Sequence, residues 1–227
     1  MLPIPIWDDQ VHNGYKPIFS RLFIAICVVV YVMQSGMPSG SYASFITTYG
    51  TIPAEIMSGI DMYTLITNMF LHGSWMHLWG NMLYLYIFWD NIEASIWNAK
   101  FALFYIVWGI IASMAHILLS PDSLIPAVWA SWAISACLWA YLVMFPKSNV
   151  KVMFLNALWR TMLWPAYIFL FIYIWLQIWS GMWAIWSTGG GTARWAHIWW
   201  FVFGALVWLL FRSKTKDLVM KKQKTRV

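Results

Sequence analysis

The chain has 227 residues, of which 62% are hydrophobic and 10% charged. A soluble domain carries about 25% charged residues, so there is no polar shell for a soluble core, and an integral membrane protein is the class that remains. The formal net charge is +6, but the positive charges gather at the ends of apolar runs and in the tail. They read as topology signals, not as a nucleic-acid surface.

Residues 1–17 hold Asp8, Asp9 and several prolines. They lack the basic start and cleavage site of a secretory signal peptide and read as a short cytoplasmic segment. Six apolar runs follow, at about 18–34, 64–88, 101–119, 127–145, 161–180 and 195–211. Each is near the roughly 17–25 residues that a spanning helix needs. The second begins amphipathic, which puts its first turns at the interface. Residues 18–211 thus form one six-span, all-α membrane domain, and 212–227 a basic cytoplasmic tail. Cys27 and Cys137 both lie inside apolar runs and read as small buried residues, not as a disulfide or metal pair.

Lysine and arginine set the orientation. With the first segment inside, the cytoplasmic side holds Lys16, Arg21, Lys100, Lys147, Lys151, Arg160 and the seven basic residues from Arg212 to Arg226. The opposite side holds Arg194. That asymmetry is the one expected of six spans with both termini cytoplasmic. The segment Ser35 to Asp61 is long and free of Lys and Arg, and it contains Tyr49-Gly50-Thr51-Ile52-Pro53. An uncharged loop of this length is usually functional or membrane-embedded. The glycine-rich linker from Ser187 to Thr192 reads as flexible and external.

With this topology the second, fourth and sixth runs all enter the membrane from outside. His77, Asn81, Ser131 and His197 then lie in first turns at similar depth. His77 and Asn81 are four apart and share a helix face. An unsatisfied polar group inside a bilayer costs several kcal/mol, roughly 2–7, so such a gathering marks a site. A serine and a histidine on facing helices make a nucleophile and general base when their side chains approach within hydrogen-bond reach. A carbonyl under attack needs donors fixed beforehand, which His77, Asn81 and the Ser131 backbone N–H can supply. Each residue taken alone has a blander reading. A membrane serine usually bonds back to a carbonyl one turn earlier, and a lone histidine or asparagine is more often a contact between helices. Matched depth is what favours the site. His12 and His116 receive no role. No metal or other cofactor is expected, because the histidines lack a carboxylate or thiol companion at ligand spacing.

These residues resemble the rhomboid family of intramembrane serine proteases. The resemblance covers nearly the whole chain. It rests on Ile4-Pro5-Ile6 and Asp8-Asp9, the Tyr49-Gly50…Pro53 element, the His72…His77…Asn81 spacing, and Phe88…Asp90-Asn91-Ile92-Glu93. The Ala130-Ser131 and Ala196-His197 pieces complete it. It implies a six-span bundle of the minimal bacterial form, in the inner membrane, with Ser131 as nucleophile, His197 as its base and no aspartate. His77 and Asn81 match the oxyanion positions, and His72 a histidine near the site entrance. The implied substrate is a single-span membrane protein, cut near the outer end of its helix. Span five is a candidate gate by the same analogy.

The sequence departs from the family at its glycines. The serine motif Gly-x-Ser-Gly here reads Trp129-Ala130-Ser131-Trp132, and His-x-x-Gly-x-x-x-Gly reads His197-Ile198-Trp199-Trp200…Gly204. Membrane helices approach closely through small residues, and indoles at Trp132 and Trp200 would hold the Ser131 and His197 backbones apart. Trp7, Trp89, Trp97 and Trp139 also stand where the family tends to carry glycine. The chain holds 19 tryptophans, more than interfacial belts explain. Two readings stay open. In one, the source cell reads UGA as glycine and the protein is an active protease. In the other, the divergence is real and the chain is a catalytically inactive relative that binds membrane clients. A small transporter is disfavoured, because no charge lies at mid-bilayer.

Overall fold

A computed structural model describes residues 3–9, 16–128, 130–154, 160–173 and 175. The sixth apolar run, the linker before it and the basic tail lie outside the described residues.

The elements follow in order as β1 (Pro3–Asp8), α1 (Phe19–Ser35), α2 (Ser39–Tyr49), α3 (Pro53–Met57) and α4 (Thr64–Thr67). A 3₁₀ turn (Asn68–Phe70) leads to α5 (Trp75–Ile96), α6 (Asn98–Leu119), α7 (Ala130–Met144), β2 (Asn149–Phe154) and β3 (Arg160–Pro165). Helices α5 and α6 have 22 residues each, about 33 Å at 1.5 Å per residue, enough for a hydrocarbon core of about 30 Å. Among the described residues, α6 is the one helix both long and apolar enough to cross on composition, with a mean hydropathy of 2.1. Helix α1 is apolar but shorter, at 17 residues.

Runs one, three and four become α1, α6 and α7 nearly as expected. Run two divides. Its amphipathic beginning forms α4 and the 3₁₀ turn, and the long helix starts afresh at Trp75. The restart has a local cause: the Ser74 side chain accepts the His77 N–H at 3.1 Å, an N-cap bond. Run five also differs. Its start, Arg160–Pro165, pairs as β3, and helix resumes over 166–173.

The three strands form an antiparallel sheet in the order β1-β2-β3. Pro3 faces Phe154 and Asp8 faces Val150, with a bulge between Pro5 and Trp7. Pro3 and Pro5 are tolerated because β1 is an edge strand. The segment preceding α1 is therefore strand, built into the domain by pairing with residues beyond α7.

Aromatic and aliphatic side chains from α1, α5, α6, α7 and residues 166–173 fill one core. Phe23 stacks on Tyr105 at 4.6 Å, and Phe88 meets Tyr141 edge-on at 4.8 Å. Gly109 on α6 lets the Met69 turn approach, since a Cβ there would lie 2.2 Å from Met69 Sδ.

Two polar anchors tie the sheet end together. Glu93 on α5 is fully buried and receives the N–H groups of Ile18, Phe19 and Ser20 at 2.8–2.9 Å. A carboxylate 75 residues away in sequence thus caps α1, whose own N-cap residue, Ile18, has no side-chain acceptor. Asp8 on β1 receives Tyr141 Oη–H at 2.6 Å and Asn91 Nδ2–H at 2.7 Å. Lys16, Arg21, Lys100, Lys147, Lys151 and Arg160 all lie at this end of the helices or in the sheet.

Candidate active site

The opposite end of α5 and α7 carries the candidate residues. Helices α5 and α7 pack on one another. Their Phe88–Tyr141 contact lies thirteen residues beyond the start of α5 and eleven beyond the start of α7. At 1.5 Å per residue those offsets are about 20 and 17 Å, so the two helix beginnings lie at nearly one level. His77 is the third residue of α5, and Ser131 the second of α7. The common depth expected from the sequence also includes His197, which lies outside the described residues.

The first turn of α7 has a further property. Backbone N–H groups in a helix's first turn have no intrahelical acceptor, and Ser131 is in that turn. The segment leading into it is held from the side. Thr51 N donates to Ala127 O at 3.1 Å and Ala127 N to Thr51 O at 2.8 Å. Ala54 N reaches Ser123 O at 3.2 Å. Gly50 makes this bridge possible: a Cβ there would lie 2.6 Å from Ile46 O and 3.3 Å from Ala127 O. The loop element Tyr49-Gly50-Thr51 is therefore a brace against the serine helix's entrance.

Behind the brace lies a buried polar cluster. Thr51 Oγ1 donates to Thr64 O at 2.9 Å. Asn68 Nδ2 donates to Thr51 Oγ1, to Thr64 O at 2.7 Å and to Ser113 Oγ at 3.1 Å. Sequence reading missed Asn68 and Ser113. The signal available was a polar side chain inside each of two apolar runs, which alone does not distinguish a brace from a site.

Asn81 is buried, and its Nδ2 has no hydrogen-bond partner among the described residues. A buried amide donor without an acceptor costs about 1–3 kcal/mol. His77 stands one turn before it, and its ring lies 5.3 Å from that of His72. His72 is fully buried, with both ring nitrogens unpartnered among the described residues. Its carbonyl accepts from Gln34 Nε2 at 3.2 Å, tying the link before α5 to the end of α1. The structure thus brings His72, His77 and Asn81 together on and just before α5, with the start of α7 at the same level. His197, Trp129, Trp199 and Trp200 lie outside the described residues, and the side chains of Ser131 and Trp132 are not described.

Four of the tryptophans at expected glycine positions are described: Trp7 on β1 is exposed, Trp139 on α7 is half-buried, and Trp89 and Trp97 stand at the two extremes. Trp97 joins α5 to α6 as a single residue at φ 75° and ψ 146°, and it is 68% exposed. Trp89 is fully buried against Phe101 and Tyr105, and its indole N–H has no acceptor among the described residues.

Comparison with known proteins identifies the family. Residues 60–214 match the Rhomboid domain family, a stretch that includes α5, α6, α7 and both halves of the candidate dyad. Rhomboid protease GluP of Bacillus subtilis (strain 168) is 29% identical over 151 residues. The match covers 66% of this chain and 29% of that protein's length. With more than half of its residues inside that family match, this polytopic helical membrane protein belongs to the rhomboid family.

Proposed function

We infer that the chain is an intramembrane serine endopeptidase. It cuts a single-span membrane protein near the outer end of its transmembrane helix, and Ser131 and His197 carry the reaction. Family membership and the similarity to a rhomboid protease support the reaction class. The observation that supports the site is the buried Nδ2 of Asn81, unpartnered among the described residues, near the level of the Ser131 turn.

In the mechanism, Ser131 Oγ attacks the scissile carbonyl carbon while its proton passes to His197. The carbonyl oxygen becomes an oxyanion and takes hydrogen bonds from Asn81 Nδ2, His77 and the Ser131 backbone N–H. Collapse breaks the C–N bond, and the proton held by His197 goes to the leaving amine. Water then hydrolyses the acyl-serine by the same route in reverse. Six spans, both termini cytoplasmic and an inner-membrane location complete the reading, supported by the gathering of basic residues at the sheet end.

The second reading is a rhomboid-like protein that binds membrane clients without cutting them. Tryptophan at 132 and 200 favours it, since indoles there would separate the dyad. Fluorophosphonate labelling tests the choice: an active protease labels at Ser131 and loses the label in Ser131→Ala. Absence of labelling in folded protein carrying glycine at 129, 132, 199 and 200 would overturn the protease reading.

A further inference from the structure

We propose that position 97 is glycine in the protein as its source cell makes it, and that the UGA codon is read there as glycine, not tryptophan. Three described residues have positive φ: Gly59 at 75°, Asp61 at 52° and Trp97 at 75°. Glycine enters this region freely, and aspartate is among the side chains that tolerate its left-handed helical part. Trp97 is different in kind. Its ψ of 146° lies outside the left-handed helical region and close to a region that essentially only glycine occupies.

The geometry is also fixed by its neighbours. Trp97 N donates to Glu93 O at 2.9 Å, closing α5, and Trp97 O accepts from Phe101 N at 2.9 Å, opening α6. One residue therefore turns the chain between two 22-residue helices. Strained residues persist where packing over-determines them or chemistry uses the strain. Neither applies to this indole, which is largely exposed and stands at the end of α5 away from His77 and Asn81.

Real glycines do occur where the fold requires them, as at Gly50 and Gly109, so the chain has not abandoned glycine packing. A single codon reading accounts for all of this. It exchanges tryptophan for glycine at some positions, leaves glycines from other codons in place, and alters no other residue type. The same reading restores small residues at 129, 132, 199 and 200.

The proposal does not depend on the protease chemistry, and its test is separate from any activity. Native protein from the source organism, denatured and cleaved after glutamate and lysine, releases Ala94–Lys100, which holds position 97 and no other tryptophan. A glycine mass at 97 is the expected result. A tryptophan mass there, or a UGG codon in the gene, overturns the proposal. As a structural check, recombinant protein with Trp97→Gly should melt several degrees above the same protein with tryptophan. An unchanged or lowered melting temperature would remove the backbone argument.

Discussion

The candidate site turns on Asn81, a buried side chain whose Nδ2 has no hydrogen-bond partner among the described residues. If it serves the oxyanion, Asn81→Ala should lower kcat by about 10²–10³-fold with little change in KM, measured on a reconstituted transmembrane substrate. A fall in KM-controlled binding alone would assign it to packing. The pairing of His77 with Asn81 was legible in the sequence because a spacing of four is a property of the helix itself. The partners of His72 were not. Its burial against Tyr31 and His77 depends on where α1 ends, which no local pattern records.

At the scale of elements, the Glu93 cap decides how α1 is seated. The acidic residues after run two were visible as a motif, yet their target lies more than seventy residues earlier. Glu93→Gln should keep the shape but lose the charge on three helix amides. Since hydrogen bonds to charged groups contribute about 1.5–3 kcal/mol each, loss of stability by roughly 2–3 kcal/mol is expected, read as a lower melting temperature in detergent. Retained stability would show that the amides find other acceptors. Run five illustrates the opposite limit. Arg160 to Pro165 is apolar enough to read as the start of a span, but the exposed edge of β2 captures it as β3. Hydropathy registers the apolar character and is blind to a strand edge waiting nearby. Run two divides for another local reason: the Ser74 cap and the turn at 68–70 separate its amphipathic beginning from the long helix.

For the whole molecule, the gathering of basic residues at the sheet end predicts one orientation. Single cysteines placed at Lys16, Lys100 and Lys147 should react with a membrane-impermeant thiol reagent only after the cytoplasmic face is opened, and a cysteine at Arg194 should react in intact cells. Reaction of all four in intact cells would discard the six-span topology. Charge asymmetry is a summed signal that survives local errors, and this labelling is what decides the orientation it predicts. The core was legible only as membrane-embedded helix; that α7 packs against α5 follows from contacts such as Phe88–Tyr141, not from any single run.

The pairing of β1 with β2 also imposes an order on biosynthesis. Pro3 must find Phe154, so β1 leaves the ribosome with no partner in this sheet until α1, α5, α6 and α7 have been synthesised. Contacts so distant in sequence close late. Until then Asp8, destined to be buried against Tyr141 and Asn91, waits in water. The amino-terminal strand is therefore the clasp of the bundle, fastened only when α5 and α7 are already side by side, and its closure reports that the two helices bearing the candidate site have met in register.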